Sequence, residues 1–299
     1  MAQNDARAAR WYRKAADQGD PEAQNGLGVI YSLGREIEKS KEEAVRWYHS
    51  AAKQGYAQAM FNLGAAYYNG DGVPSDLDMA YAWFLLPQQA GNPEAKDAVD
   101  RTAKEMKFTA GALEDIGAMY EKGVELPQNS AEAARWYGEA ANHSDSAALR
   151  FAEMLINSKA IAQDYPRALK LCHQAAEHRD GKGQYCLGYL YENGRGTEKN
   201  SKEAMKWYQL AASGLIPGTR RSAALALAEM YARGDGTKAD HVEAYYWFVL
   251  AYGDGSSAAR KQCQALWPQL SRNEAKSVEK KLRERGIDLQ KALNTMQAQ

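Results

Sequence analysis

The sequence predicts an all-α protein built as a solenoid of helix–turn–helix units, and three observations carry that prediction. One line, ARWYRKAADQG at residues 9–19, returns at 45–55, 134–144 and 205–214, with weaker echoes at 80–91, 168–179 and 244–255. A second line, AQNGLGVIY at 23–31, returns at 59–67, 112–120, 183–191 and 224–231. The two alternate on a period near 36: Trp11, Trp47 and Trp83 stand 36 residues apart, and Trp136 reaches Trp207 through Leu171 in steps of 35 and 36. A fixed period of this length means stacked units that bury a continuous core between neighbours.

Each element follows from its residues. In the second line a small residue is followed by Leu or Ile four later, Gly or Ala next, and Tyr three beyond, which is helical rather than strand spacing. Gly28, Gly64, Gly117 and Gly188 therefore fall in mid-helix, where glycine costs about 1 kcal/mol against alanine. Close approach of another helix compensates, and Ala152 and Ala228 occupy the same place. The break that follows carries glycines suited to a left-handed helix end, or a proline (Pro74, Pro127) that stops continuation. Asp76, Ser130, Ser201 and Asp240 stand where an N-cap opens the next helix, and Ser40 with Glu43 reads as a capping box. That next helix carries the Trp–Tyr pair and an alanine stripe, a packing seam at the same inward place in every unit.

Two spacings depart from the period: Trp83 to Trp136 is 53 residues and Trp207 to Trp247 is 40. Residues 93–107 fill the first gap as an extra helix. The chain then divides into a repeat block at 1–109 ending in that helix, a second block at 110–255, and capping helices with a frayed tail at 256–299, or runs on as one continuous solenoid. The two capping helices are expected at 258–286, broken near Pro268 and Ser271. The chain opens on the second helix of a unit, which reads as a half-unit cap or as a trimmed or processed form. Removal of a leader would favour the periplasm over the cytoplasm; the residues themselves assign no compartment.

Lysine plus arginine equals aspartate plus glutamate at 38 each, so the chain has no electrostatic footprint for nucleic acid and no basic run for an anionic membrane. No apolar run approaches the roughly 18 residues of a membrane span. Three cysteines are too few for a disulfide framework. Cys172 and Cys186 lie about equally far from the turn near Arg179 and Asp180, at similar height on an antiparallel pair. Free, half-buried thiols are the expected state and a bridge is the alternative.

A-x-x-x-L-G-x-x-Y on one helix, G-x-G in the turn and A-x-x-W-Y-x-x-A-A-x-x-G on the other closely resemble the Sel1-like repeats, relatives of the tetratricopeptide repeat. The resemblance spans roughly residues 8–255. It departs from the pattern where Leu171 and Cys172 replace Trp-Tyr, where Phe151, Ala152 and Leu155 replace Leu, Gly and Tyr, and where the turn NSKAIAQDY has no glycine. The resemblance implies a right-handed superhelix whose first helices line a concave face, and an adaptor role in bacterial envelope, secretion or signalling systems.

Chemistry is sparse. The G-x-G turns (Gly70/Gly72, Gly194/Gly196, Gly234/Gly236) follow helices rather than strands, so they read as structural and not as phosphate loops. Cys172, His173, His178 and Cys186 match no zinc spacing, and His49, His143 and His241 have no nucleophile and acid in a recognisable order. No catalytic residue, metal site or cofactor is assigned.

By the resemblance, the groove-facing positions are Asn25, Phe61, Tyr68, Asn69, Glu114, Glu121, Glu153, Tyr185, Tyr189, Glu192, Asn193, Glu229 and Arg233, with Ala65 among them. Aromatic anchors ringed by acids suit a peptide segment that carries Lys or Arg beside an apolar residue. The reading is a non-enzymatic scaffold that binds a protein or peptide partner in its concave groove, without nucleic acid or membrane insertion. The alternative is an immunity-type inhibitor of a secreted bacterial toxin such as a lipase effector. A cell-wall enzyme ranks third.

Overall fold

Polar caps fix where the helices begin. In the computed structural model, which describes residues 10–34, 38–89, 92–106, 109–124 and 126–289, the Asp20, Ser144 and Asp240 side chains each accept a backbone N–H of the following first turn. Asp76 does the same for Met79 and Ser40 for Glu43. At two of the expected caps the residue one earlier does the work: Asn129, not Ser130, receives the N–H groups of Ala131 and Glu132, and Asn200, not Ser201, receives that of Glu203. Ser130 and Ser201 are instead the first helical residues. A full reciprocal capping box is made by Ser271 and Glu274.

The helices alternate in role. Residues 10–16 form α1. The first helices of the units are α2 (Pro21–Leu33), α4 (Ala57–Asn69), α7 (Ala110–Lys122), α9 (Asp145–Asn157), α11 (Gly181–Asn193) and α13 (Pro217–Arg233). The second helices are α3 (Lys41–Lys53), α5 (Leu77–Gln89), α8 (Ser130–Ala140), α10 (Tyr165–Glu177), α12 (Ser201–Ala212) and α14 (His241–Gly253). The stretch read as an extra helix holds α6 (Pro93–Glu105), while Lys107 lies outside the described residues. After α14 come α15 (Ser257–Leu266), a 3-10 turn at Trp267–Gln269 and α16 (Arg272–Glu284). The last ten residues of the expected tail, 290–299, lie outside the described residues. No strand occurs among the described residues, and the fold is an all-α repeat solenoid. It divides into two compact units, 1–140 and 141–299.

The mid-helix glycines are explained by the aromatic ring behind them. A Cβ at Gly28 would lie 2.6 Å from the Tyr48 ring, one at Gly64 2.7 Å from Phe84, one at Gly117 3.0 Å from Tyr137, and one at Gly188 2.5 Å from Tyr208. Each pair joins the first and second helix of one unit, so the seam residue after the tryptophan is the knob and the glycine is its hole. Tyr137 and Tyr208 also donate hydroxyl hydrogen bonds to Glu121 and Glu192, at 2.7 and 2.8 Å. Trp83 and Trp136 are fully buried, and truncating either to alanine would cost about 3–5 kcal/mol. Trp11, expected at the same inward place, is 68% exposed; no first helix of its own unit covers it among the described residues.

Neighbouring units meet at the turns. Gly72, Gly196 and Gly236 have φ of 79°, 74° and 80°, a region that only glycine enters freely. Any Cβ there would also strike the start of the preceding unit's second helix, 2.3 Å from the Lys41 carbonyl oxygen, 2.5 Å from that of Tyr165, and 2.8 Å from the Ser201 carbonyl carbon. The G-x-G turn is thus a seat on the neighbouring helix. In the second unit α16 closes the core, with Val278 and Leu282 fully buried and Tyr245 packed 5.1 Å from the Trp267 ring.

Candidate functional site

The site grows from two first helices whose faces leave a gap. Residues Leu149, Arg150, Glu153, Ile156 and Asn157 of α9 and Tyr185, Cys186 and Tyr189 of α11 recur at three- and four-residue intervals, so each set shares one helix face. Together with Ser146, Asp180 and Lys182 they bound a groove of ≈ 520 Å³. Leu149, Ile156 and the two tyrosines supply its apolar surface. Arg150 and Glu153, 3.9 Å apart, Lys182 and Asp180 supply charge of both signs at the rim. Asp180 is partly committed, accepting the backbone N–H groups of Lys182 and Gly183 as the α11 cap.

The tyrosine side is held from behind. Tyr185 packs 5.5 Å from the Tyr208 ring, and burial raises its hydroxyl pKa above the usual 10.0, with Glu192, Tyr189 and Glu229 adding to the shift. Tyr189 lies under the Arg195 guanidinium, 5.2 Å from the ring centre, and the same guanidinium is 5.3 Å from Tyr165. Arg195 is the middle residue of a G-x-G turn, so the turn that seats the unit also braces the groove.

Cys172 and Cys186 form a disulfide between α10 and α11, with Cα atoms 5.9 Å apart. The sequence reading favoured free thiols, and the structure overturns it. Cys172 occupies the seam position where other units place Tyr or Phe. One turn along α10, the Ala175–Ala176 backbone lies close against Gly183 of α11. Cys263 is the free cysteine, and burial pushes its thiol up to about 12. Among the described residues no group of three metal-ligating side chains comes together, and no helix is long and apolar enough to cross a membrane.

Of the residues expected to face a groove, Glu153, Tyr185 and Tyr189 line this one. Others are committed elsewhere. Glu192 accepts from Tyr208 and pairs with Arg233, which also pairs with Glu229 and Asp235. Glu121 is taken by Tyr137, and Asn193 donates to the Tyr189 carbonyl. In the first unit Asn25 is buried and accepts from Asn62 of the next repeat. Phe61 packs 5.3 Å from Phe84. Tyr68 donates to Glu105 at 2.6 Å beneath Arg101, which ties α4 to α6. Asn69 and Ala65 border a smaller hollow of ≈ 160 Å³, and Glu114 is half-buried on α7.

Leu149, Ile156 and Asn157 were missed. They stand two before and five and six after Phe151, the same offsets that give Tyr185, Glu192 and Asn193 around Leu187, but of the positions around Phe151 only Glu153 was chosen. Arg150 and Lys182 were missed as well, so the rim is mixed rather than acidic.

The Sel1 repeat pattern matches residues 1–20, 21–56, 57–86, 110–145, 146–180, 181–214 and 221–256. This chain belongs to the Sel1 repeat family. Sel1 repeats typically mediate protein–protein interaction. Among relatives, the chitin synthase regulator SKT5 of Saccharomyces cerevisiae is 36% identical over 101 residues, which is 32% of this Sel1 repeat chain and 14% of the yeast protein. Among solved structures, c5321, a protective antigen present in uropathogenic Escherichia coli strains displaying an SLR fold, aligns at 29% identity and a TM-score of 0.52. That alignment covers 92% of this chain and 55% of c5321, so the chain spans only part of both relatives. The immunity protein Pa5087 from Pseudomonas aeruginosa aligns over 83% of this chain and 82% of its own at 21% identity and a TM-score of 0.35. So loose a likeness carries no functional reading.

Proposed function

We propose that this Sel1 repeat protein is a non-catalytic adaptor that takes an apolar-anchored segment of a protein partner in the α9–α11 groove. One observation carries the reading: Leu149, Ile156, Tyr185 and Tyr189 form an apolar lining between two first helices, open to solvent and bordered by both signs of charge. An anchor side chain desolvated at the centre with polar contacts at the rim is how a few residues come to dominate an interface. The mixed rim of Arg150, Lys182 and Glu153 suits a segment with both acidic and basic residues beside its apolar anchor, where the sequence reading expected Lys or Arg there. The yeast relative is named a regulator of an enzyme, a role exerted through another protein.

The test compares affinity capture from the source cells by wild-type protein and by Leu149→Glu and Tyr189→Ala variants, with helicity checked by circular dichroism. A partner retained by wild type should be lost from Leu149→Glu and weakened at least tenfold by Tyr189→Ala. Equal recovery on all three baits, with unchanged helicity, removes the groove assignment.

A further inference from the structure

The disulfide reaches the wall of the groove. Cys172 is fully buried in α10, whereas Cys186 is half-buried and belongs to the groove wall, on the same face of α11 as Tyr185 and Tyr189. The repeat that supplies Cys172 lacks both the glycine and the aromatic of the ring-in-notch joint. Its glycine position is Ala152, its seam position is Cys172 itself, and its turn at 158–164 contains no glycine to seat it. The α10–α11 approach at Gly183, where a Cβ would lie 2.8 Å from the Ala176 nitrogen, depends on these two helices staying pressed together.

We propose that Cys172–Cys186 is a reversible thiol–disulfide site, with a dithiol as its chemical partner, whose closed state fixes the α11 wall of the groove. The balance is simple. A thiolate of the dithiol attacks the Cys186 Sγ, the sulfur on the groove side. The S–S bond breaks and its electron pair leaves on the Cys172 Sγ, which takes up a proton. The second thiol of the dithiol then attacks its own sulfur in the mixed disulfide and releases Cys186, which is protonated in turn. Two electrons and two protons pass to the protein, and the dithiol leaves as a cyclic disulfide. Closure runs the same steps backward. In an oxidising compartment the bridge stays shut. Once open, α11 is tied to α10 by packing alone, and Tyr185 and Tyr189 lose their fixed distance from Leu149 and Ile156.

The experiment reads the free protein and so stands apart from any partner. Protein purified without reductant is denatured and alkylated, then analysed by mass spectrometry; one modified cysteine is expected, rising to three after dithiothreitol. Native hydrogen exchange with and without dithiothreitol should show at least tenfold faster exchange across α9–α11 and no change in α3–α5. The melting temperature should fall by roughly 5–10 °C, which the loss of a loop closure of this size implies. Re-oxidation by the oxidised dithiol should restore both readings. A Cys172→Ala/Cys186→Ala variant should melt at the lowered temperature and ignore dithiothreitol. Three alkylated cysteines before reduction, or reduction that leaves exchange and melting unchanged, overturns the proposal. Because the wild-type comparison uses no substitution, it decides the matter even where the variant does not fold.

Discussion

Two adjacent repeats of the second unit solve one packing problem in different ways. In residues 181–214, a ring from α12 sits in a notch on α11, Gly188 under Tyr208, and the tyrosine hydroxyl reaches Glu192. In residues 146–180 the notch is filled by Ala152, the ring is absent, and Cys172 turns the joint outward to the next repeat through a covalent bond. The first solution is internal to its repeat and relies on shape. The second borrows stability from its neighbour. The difference teaches that the mid-helix glycine is not a helix-breaking fault but the notch that receives a ring.

The largest effect expected from breaking this contrast is Gly188→Leu. The new side chain starts 2.5 Å from the Tyr208 ring, and overpacking of this severity should remove about 3 kcal/mol or more, read from urea unfolding. Tolerance within about 1 kcal/mol would mean the notch is not a joint.

A smaller effect comes from alkali. Burial, then Glu192, raises the Tyr208 pKa above its ordinary value of 10.0. The folded protein therefore holds a proton that the unfolded chain releases, so this contribution is complete below pH 10.0 and is lost as pH rises past it. Between neutral pH and about 10.5, Tyr208→Phe should reduce the loss of stability by roughly 1 kcal/mol. The stapled repeat has no such hydroxyl at its seam, so hydrogen exchange at high pH should rise in 181–214 before it rises from this cause in 146–180. Equal slopes for wild type and Tyr208→Phe would detach the hydroxyl from the joint.

The smallest effect is Ala152→Gly. With no ring to receive, the added notch should only cost about 1 kcal/mol of helix propensity, measured by the same urea midpoint. A gain in stability would show that an aromatic from elsewhere fills it.

The repeat architecture was legible because each joint leaves a mark in one dimension. Glycine in mid-helix is costly enough to demand a reason, and its 20-residue distance from an aromatic recurs at Gly28–Tyr48, Gly64–Phe84, Gly117–Tyr137 and Gly188–Tyr208. The disulfide was not legible, because whether Cys172 meets Cys186 depends on how closely α10 lies on α11, and that is set by Gly183 and its neighbours. The fates of Glu121 and Glu192 were legible in principle: each stands 16 residues before the tyrosine that binds it. Reading offsets from the Leu position alone treated these acids as free rim. Half the groove was legible as well: the offsets that give Glu153 from Phe151 also give Leu149, Ile156 and Asn157, which were not taken up.

The G-x-G seats give the assembly a direction. Gly72, Gly196 and Gly236 each rest on the helix start of the repeat before them, never on the repeat after. During synthesis from the amino terminus, each of these three turns leaves the ribosome to find its platform already made.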